Sequence, residues 1–589
     1  MLDASSKVAD LLATDPYKVS TIHWADDATV LVDTHETVTL GLGFTARRVE
    51  LGGVIVKPLG GKAWPVFYDT PLVSGGVFQS YGTVQRDGHR YGYFSTLVLE
   101  QLKGSHDPAL PVGVQHPDLY EVDLDSHHAR DIATRPAGEG ISRSWLVDGK
   151  GAPAATLDLI RDSGHWQITN QAHTRIANGV APDGSIRMLG FTGDGAGLVY
   201  ALREGESDRW YQVPLAGGPP APFLVAANVR RLILDRQQRI IGYVDDDPAA
   251  GYHYFDPHRN RVLDALRKTF AGSRILLVDG NDSFDRLVVK TGGPGDPGTW
   301  WSVDLAAHKA DPLGTAYPMA PQQVAPYRMV PFTAADGTRM EGVLTLPPDR
   351  AAKALPVIVL PHGGPARYDA AEFDWLAQAF ASRGYAVFQP NFRGSTGYGA
   401  ALRDAGKGEW GRKMQTDLSD GLAELARQGL VDPRRACIAG QDYGGYAALA
   451  GVTLQQGIYR CAVSVAGLAD LAGYVITRGM IAGSDRLLLR TLRAELGPGR
   501  DLAEVSPIHF ADRVGVPVLL IHAKGDPVID CRQSERMEQA LRAAGKQVTL
   551  LTLPGEDHWL SDSASRLAML QATMDFVLRH NPPDPAPAG

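Results

Sequence analysis

The chain has 589 residues, more than one ordinary domain holds, so we expect at least two folding units. Hydrophobic residues make up 44% of it and charged residues 21%, which is typical of a globular protein rather than a disordered or membrane-spanning chain. The formal net charge of −8 gives no reason to expect a nucleic-acid or anionic-membrane partner.

The cysteine content and the N-terminal stretch bear on the cellular location of the protein. Cys437, Cys461 and Cys531 are too few and too scattered to indicate a disulfide framework or a zinc site, and Cys437 is expected in the core. The N-terminus lacks the basic and apolar segments of a signal peptide, and no apolar run approaches the roughly 20 residues that cross a bilayer. We therefore expect a cytoplasmic protein with no metal or cofactor, although a trimmed leader would leave the same trace.

The first half of the chain repeats a short aromatic pattern. The stretches "DLYEVDL", "HWQI", "RWYQVPL", "YHYFDP" and "TWWSVDL" follow one another between residues 118 and 305, and short apolar strands precede the later ones. A repeat of roughly 40–50 residues with several short strands is typical of a β-propeller blade. Five repeats, with space for two more before them, predict about seven blades over residues 1–315. An irregular β-sandwich is the alternative.

After a proline-rich connector at residues 311–327 the pattern changes. Apolar runs such as "VIVL", "YAVFQP", "ACIAG", "CAVSVAG", "VPVLLIH" and "VTLLTLPG" alternate with helical patterns. Buried strands alternating with helices predict a doubly wound, mostly parallel sheet covered on both faces. We therefore expect an α/β-hydrolase domain over residues 325–582.

The stretch "GQDYGGYAALAG" at residues 440–451 follows one predicted strand and opens a helix. Its glycines permit the sharp strand-to-helix turn of a nucleophile elbow, G-x-S-x-G, which exposes its central residue. Asp442 occupies that central position in place of serine.

Three further segments lie at predicted strand ends, where reactive groups of a parallel sheet collect. Asp526 follows "VPVLLIH", His558 follows "VTLLTLPG", and "PHGGP" at residues 361–365 follows the first buried strand. The chain order of elbow, Asp and His is that of the α/β-hydrolase triad. The N–H groups of Gly364 and Tyr443 would form an oxyanion hole.

The second half resembles the catalytic domain of the prolyl oligopeptidase family, and in particular its acylaminoacyl-peptidase and dipeptidyl-aminopeptidase-like bacterial members. The matching pieces are "PHGGP", "NFRGSTGYG", "WGRKMQTDLSDG", "DPRRACIAG", "YGGYAALAG", "HAKGD" and "GEDHW". The resemblance implies a propeller joined to a hydrolase domain, acting on short peptides or small acyl substrates. It also implies that Asp526 and His558 are the triad acid and base, that Gly364 and Tyr443 are the oxyanion donors, and that Asp442 occupies the serine position.

Other positions also depart from the family pattern. The family usually has His-Gly where this chain has His522 and Ala523, and Val-Pro where it has Ile529 and Asp530. Paired glutamates that hold a substrate amino terminus in dipeptidyl members find no match here. Exopeptidase or endopeptidase ancestry and the oligomeric state therefore stay open.

Asp442 disfavours ordinary serine-peptidase chemistry. Attack of a carboxylate on an amide gives an anhydride of higher energy, and a negative charge beside the oxyanion hole repels the oxyanion or fills the hole itself. Loss of the triad serine typically costs about 10⁶ in kcat. A pseudopeptidase that binds peptides is therefore the main interpretation.

Two other interpretations remain. Asp442 could be a carboxylate nucleophile that forms an ester hydrolysed by water from the His558–Asp526 pair, or the protein could retain a residual or unusual peptidase activity. Cys437, Cys531 and Ser395 are weak candidates for a substitute nucleophile, because none occupies an elbow. A deliberate replacement of a serine would give the same sequence.

Overall fold

The structure of the protein is a computed structural model. It describes residues 10–14, 17–39, 48–67, 70, 73–98, 116–134, 140–204, 207–225, 229–245, 251–482, 486–555 and 557–585. Much of the N-terminal stretch behind the cytoplasmic expectation, residues 1–9 and 15–16, lies outside this part.

The first half of the described chain forms six small antiparallel sheets, the blades of a β-propeller. The sheets are β1–β4, β5–β8, β9–β12, β13–β16, β17–β19 and β20–β23, each in chain order or its reverse. Their strands are Lys18–Trp24 (β1), Thr29–Thr39 (β2), Arg48–Pro58 (β3), Trp64–Pro65 (β4), Gln79–Arg86 (β5), His89–Val98 (β6), His116–Asp123 (β7), Ala129–Ala133 (β8), Ile141–Val147 (β9), Pro153–Ile160 (β10), His165–Asn170 (β11), Arg175–Val180 (β12), Arg187–Phe191 (β13), Gly197–Glu204 (β14), Ser207–Pro214 (β15), Ala221–Pro222 (β16), Val229–Leu234 (β17), Ile240–Asp245 (β18), Tyr252–Tyr254 (β19), Arg274–Gly280 (β20), Arg286–Gly293 (β21), Asp296–Asp304 (β22) and Lys309–Thr315 (β23).

Each aromatic repeat of the sequence is the third strand of a sheet, namely β7, β11, β15, β19 and β22. The expected number of about seven blades is not confirmed, since six sheets are found among the described residues. Before β7 the described chain forms one complete sheet, β1–β4, and the first two strands of the next, β5 and β6. The expected two further blades do not both fit there, because β2 and β3 take up 11 residues each. The third strand of the first sheet, "RVELGGVIVKP", contains no aromatic residue, so the pattern does not reveal it.

The chain divides into two compact units, one of residues 1–256 with 478–491 and one of residues 257–477 with 492–589. The sheet β20–β23 therefore groups with the second unit. Among the helices that the structure describes, none has both the length and the apolar character needed to cross a bilayer.

The second unit contains an eight-stranded sheet with the strand order β24-β25-β27-β26-β28-β29-β30-β31. The pairs from β27 to β31 are parallel, whereas β24 and β25 pair antiparallel at one edge. The strands are Tyr327–Thr333 (β24), Arg339–Thr345 (β25), Leu355–Val359 (β26), Ala386–Asn391 (β27), Val431–Gln441 (β28), Cys461–Val465 (β29), Val518–Ala523 (β30) and Val548–Leu553 (β31). The predicted mostly parallel sheet is confirmed.

Helices cover both faces of this sheet. The helices found among the described residues are Pro257–Thr269 (α1), Trp375–Ala381 (α2), Gly399–Asp404 (α3), Lys413–Arg427 (α4), Tyr443–Thr453 (α5), Leu471–Ala482 (α6), Arg486–Leu496 (α7), Arg532–Ala543 (α8) and Ser563–His580 (α9). One apolar cluster joins the sheet to α4, α5 and α8, and a second joins its other face to α2 and α9. The sheet is therefore doubly wound, as expected from the alternation of strands and helices.

The expectation for the cysteines is corrected. Cys437 in β28 and Cys461 in β29 form a disulfide, and both side chains are fully buried. The two residues are direct partners in neighbouring strands, with their Cα atoms 4.8 Å apart. Their proximity arises from strand register, which a separation of 24 residues in the sequence does not reveal.

Candidate functional site

The predicted elbow is a tight turn from β28 into α5. Asp442 lies between them with φ 59° and ψ −120°, a conformation that residues other than glycine rarely adopt. A Cβ atom on Gly444 would lie 2.1 Å from the carbonyl oxygen of Pro361, and one on Gly440 would lie 2.5 Å from Gly444. The close approach of the backbones therefore requires glycine at both positions.

The Asp442 carboxylate lies against the predicted oxyanion donor. The Gly364 N–H donates a hydrogen bond of 2.8 Å to Asp442 Oδ2. Burial raises the pKa of Asp442, and the charge of His558 together with the Gly364 N–H opposes this rise. The other predicted donor, the Tyr443 N–H, begins α5, where the first N–H groups of a helix have no partner within the helix.

Asp526 and His558 meet as the sequence predicts. His558 Nδ1 and Asp526 Oδ2 are 2.7 Å apart, so the Nδ1–H donates to the carboxylate. Burial by itself would lower the pKa of His558, but the hydrogen bond and charge of Asp526 outweigh burial and raise it above its ordinary value. Asp442 contributes to this rise through its charge.

Asp526 is held in an ionised, fully enclosed position. Its Oδ1 accepts hydrogen bonds of 2.8 Å from the N–H groups of Val528 and Ile529. Burial would raise the pKa of Asp526, yet hydrogen bonds from His522 and His558 lower it to about 2. His522 fixes the same loop, since its Nε2 lies 2.9 Å from the Ile529 carbonyl oxygen.

The elbow and the histidine loop are joined through Gln441, whose Nε2 donates a hydrogen bond of 2.6 Å to the His558 carbonyl oxygen. Within the described residues, however, no hydrogen bond or ion pair joins the Asp442 carboxylate to the His558 ring. The carboxylate turns instead toward Gly364. His558 and Asp526 therefore pair beside an elbow whose side chain accepts the hydrogen bond of Gly364, the predicted oxyanion donor.

Sequence reasoning missed two hydrogen bonds of His362 that hold the loop carrying Gly363 and Gly364. His362 Nε2 lies 2.9 Å from Ser395 Oγ, and His362 Nδ1 donates to the Gly363 carbonyl oxygen. Burial lowers the pKa of His362 to about 4, so its ring is neutral and Nε2 accepts a hydrogen bond from the Ser395 hydroxyl group. His362 belongs to the stretch "PHGGP" and Ser395 to the stretch "RGSTG". The presence of both stretches was the signal in the sequence that could have indicated this contact.

The side chains considered as substitute nucleophiles lie in unsuitable surroundings. Ser395 is fully buried and bonded to His362, and Cys437 is in the disulfide. Burial raises the pKa of Cys531 to about 11, which disfavours its thiolate. None of the three therefore replaces Asp442 at the elbow.

Comparison with known proteins supports the resemblance. Residues 371–582 match the model of the prolyl oligopeptidase family. Dipeptidyl aminopeptidase BIII of Pseudoxanthomonas mexicana is 28% identical over 377 residues, which are 60% of this chain and 55% of that protein. Dipeptidyl peptidase family member 6 of Caenorhabditis elegans is 35% identical over 206 residues, which are 34% of this chain and 28% of that protein. The chain thus spans 55% and 28% of the lengths of these two relatives.

A solved structure supports the fold over almost the whole chain. A puromycin-hydrolyzing peptidase of Mycobacterium tuberculosis superposes with a TM-score of 0.67 at 19% identity, covering 98% of this chain and 96% of that one. At this identity the likeness establishes the fold alone. The chain is therefore similar to this peptidase in fold, and to dipeptidyl aminopeptidase BIII in sequence over 60% of its length.

Proposed function

We propose that this protein is a prolyl-oligopeptidase-family homologue that binds short peptides or small acyl compounds and has little or no serine-peptidase activity. We assign residues 1–315 to the propeller and 325–582 to the hydrolase domain. Asp442 is the residue at the nucleophile position, Asp526 and His558 form the acid–base pair, and Gly364 and Tyr443 are the oxyanion donors.

The contact of Asp442 with Gly364 carries this proposal. The donor that would stabilise a tetrahedral oxyanion already binds Asp442 Oδ2 at 2.8 Å. A substrate oxygen must displace this carboxylate and then remain beside it, which opposes the electrostatic stabilisation on which acyl transfer depends. Removal of one oxyanion donor alone typically costs about 10²–10³ in kcat.

The test compares the native chain with Asp442→Ser on a panel of aminoacyl and peptidyl chromogenic substrates. The serine variant is expected to gain at least about 10³-fold in kcat/KM, since a complete triad typically supplies about 10⁶. Asp442→Ala is the matched control, because it removes the carboxylate without adding a nucleophile. Equal turnover by the native chain and the serine variant contradicts the proposal.

The intact acid–base pair favours a second candidate, a hydrolase that uses Asp442 as a carboxylate nucleophile. Displacement by Asp442 of a leaving group on sp³ carbon would give an ester. His558, held by Asp526 at 2.7 Å, would then remove a proton from the water that hydrolyses it. Single-turnover hydrolysis in H₂¹⁸O tests this route, because one oxygen of Asp442 then carries the label. An unlabelled elbow peptide after product release rules it out.

The disulfide bears on where the protein acts. Disulfides are rare in the reducing cytoplasm and persist in oxidising compartments. The Cys437–Cys461 bond therefore weighs against the cytoplasmic location expected from the sequence.

A further inference from the structure

The peptide unit between Gly363 and Gly364 is held on both of its sides. Its N–H, that of Gly364, donates a hydrogen bond of 2.8 Å to Asp442 Oδ2. Its carbonyl oxygen, that of Gly363, lies 2.9 Å from His362 Nδ1, which donates to it. In a trans peptide such as this one, the N–H and the C=O point in opposite directions within one plane. A contact that fixes the carbonyl oxygen therefore also fixes the direction of the N–H.

The backbone by itself offers little resistance to rotation of this peptide unit, because a glycine stands on each side of it. Glycine has access to conformations that a Cβ forbids, and Gly364 has a φ of 121°. The close approach to the elbow favours glycine here, since a Cβ on Gly363 would lie 3.0 Å from Asp442 Oδ2. The direction of the Gly364 N–H must then be set by contacts with other groups, and His362 supplies the contact on the carbonyl side.

The His362 ring is itself held by two buried side chains. Its Nε2 accepts a hydrogen bond of 2.9 Å from Ser395 Oγ, and its ring stacks on Phe392 with the ring centroids 4.5 Å apart. Ser395 and Phe392 are both fully buried, and close packing leaves such side chains little freedom to move. Nε2 thus holds the ring in place, and Nδ1 holds the peptide unit.

The segment that carries Phe392 and Ser395 is anchored to the interior by Arg393. The buried Asp417 carboxylate accepts hydrogen bonds from Arg393 at three points, the backbone N–H at 3.0 Å, Nε at 2.8 Å and Nη2 at 2.7 Å. Asp336 accepts a further bond of 2.9 Å from Nη1. Hydrogen bonds between charged partners are the strong ones, so Ser395 stands on a firm support.

We propose that His362 is a positioning residue that directs the Gly364 N–H toward the elbow, and that Ser395 holds His362 in the orientation this requires. The oxyanion donor is then oriented in advance by contacts that do not involve Asp442. This inference rests on the proposed function, in which Gly364 is an oxyanion donor. His362 acts through the peptide unit, and the inference requires no chemical step.

Two variants of His362, each made in the Asp442→Ser background, test the inference by fluorophosphonate labelling. His362→Phe keeps a ring that can stack on Phe392 but removes both hydrogen bonds. His362→Asn loses the ring but keeps an amide N–H near the position of Nδ1, which can donate to the Gly363 carbonyl oxygen. Loss of a whole oxyanion donor typically costs about 10²–10³, so we expect His362→Phe to slow labelling by about 10- to 100-fold. The affinity for the probe should stay unchanged, because the oxyanion forms only during the reaction.

The order of the two variants separates positioning from packing. Positioning predicts faster labelling in His362→Asn than in His362→Phe, whereas a space-filling role predicts the reverse. Ser395→Ala should also slow labelling, but less than His362→Phe does. His580→Phe is the matched control, because the His580 ring also packs against a phenylalanine, Phe576, at the end of α9. It should label at the unchanged rate, and all variants should reach the same final labelled fraction, which shows that they are folded.

Hydrogen exchange provides a second readout that uses the native elbow. In a proteolytic fragment containing Gly364, amide exchange should be faster in His362→Phe than in His362→Asn, because the N–H then spends less time bonded to Asp442. Equal or reversed orders of labelling and exchange overturn the role of His362 and leave the proposed function intact. Absence of labelling in Asp442→Ser overturns the proposed function, and the exchange rates then decide on His362 alone.

Discussion

At the scale of single residues, the carboxylate of Asp442 changes the electrostatics around the elbow, where His558 and Gly364 lie. Its charge raises the pKa of His558, and its carboxylate accepts the hydrogen bond of the Gly364 N–H. The sequence predicts the positions of Asp442, Asp526 and His558 because each follows a strand of the parallel sheet.

The first prediction concerns the titration of His558. Its pKa is raised in the folded protein, so protonated His558 stabilises the fold below the unfolded pKa of about 6.5, and this stabilisation is lost as the pH rises through the folded pKa. Asp442→Asn should lower the folded pKa and weaken the stabilisation at acidic pH. NMR titration of the His558 ring measures the change.

Asp530→Asn is the control for this titration, because the Asp530 carboxylate is paired with Arg532. An unchanged His558 pKa in Asp442→Asn contradicts the electrostatic coupling of the two residues.

A second prediction follows from the backbone of Asp442. At φ 59° and ψ −120° a residue with a Cβ is strained, at a cost of about 1–3 kcal/mol. Asp442→Gly should therefore be more stable than Asp442→Ala by about 1 kcal/mol, after the greater unfolded-state entropy of glycine is subtracted. Urea unfolding of both variants measures the difference, and both lack the carboxylate, so its electrostatic effect does not enter the comparison. A more stable alanine variant contradicts the strained elbow.

At the scale of elements, alternation of strands and helices was predictable, because buried parallel strands are uniformly apolar and the helices between them have one apolar face. The pairing of particular residues across strands was not. Cys437 and Cys461 meet only because β28 and β29 pair in one register, and no local pattern encodes that register.

The third prediction concerns this disulfide between β28 and β29. It closes a loop over a separation of 24 residues, for which the chain-entropy relation gives about 3.5 kcal/mol of stabilisation. Replacement of both Cys437 and Cys461 by alanine should lower the free energy of unfolding by about that amount. Cys531→Ser should leave the stability nearly unchanged, since Cys531 is unpaired.

Alkylation of the denatured, unreduced protein provides a direct check. Mass spectrometry should find one alkylated cysteine, Cys531, and three after reduction. Three alkylated cysteines without reduction mean that the disulfide is absent.

At the scale of the whole molecule, the change along the sequence from aromatic repeats to alternating strands and helices predicted a propeller followed by an α/β-hydrolase domain. Aromatic residues mark the third strand of five sheets because large rings pack within and between neighbouring sheets, for example Trp166 of β11 against Tyr200 of β14, and Tyr200 against Tyr211 of β15. The expected count of about seven blades is not confirmed, and the aromatic pattern does not mark the first sheet, because that sheet is built from long strands with β-branched residues instead. The family resemblance is carried by motifs around the elbow, where Asp442 occupies the central position.

Labelling with a fluorophosphonate tests the central claim most directly, because this probe reacts with a serine that a working triad and oxyanion hole activate. The native chain should remain unlabelled, Asp442→Ser should be labelled, and the double variant Asp442→Ser with His558→Ala should lose the label. Strong labelling of the native chain, or no labelling of Asp442→Ser, would contradict the account.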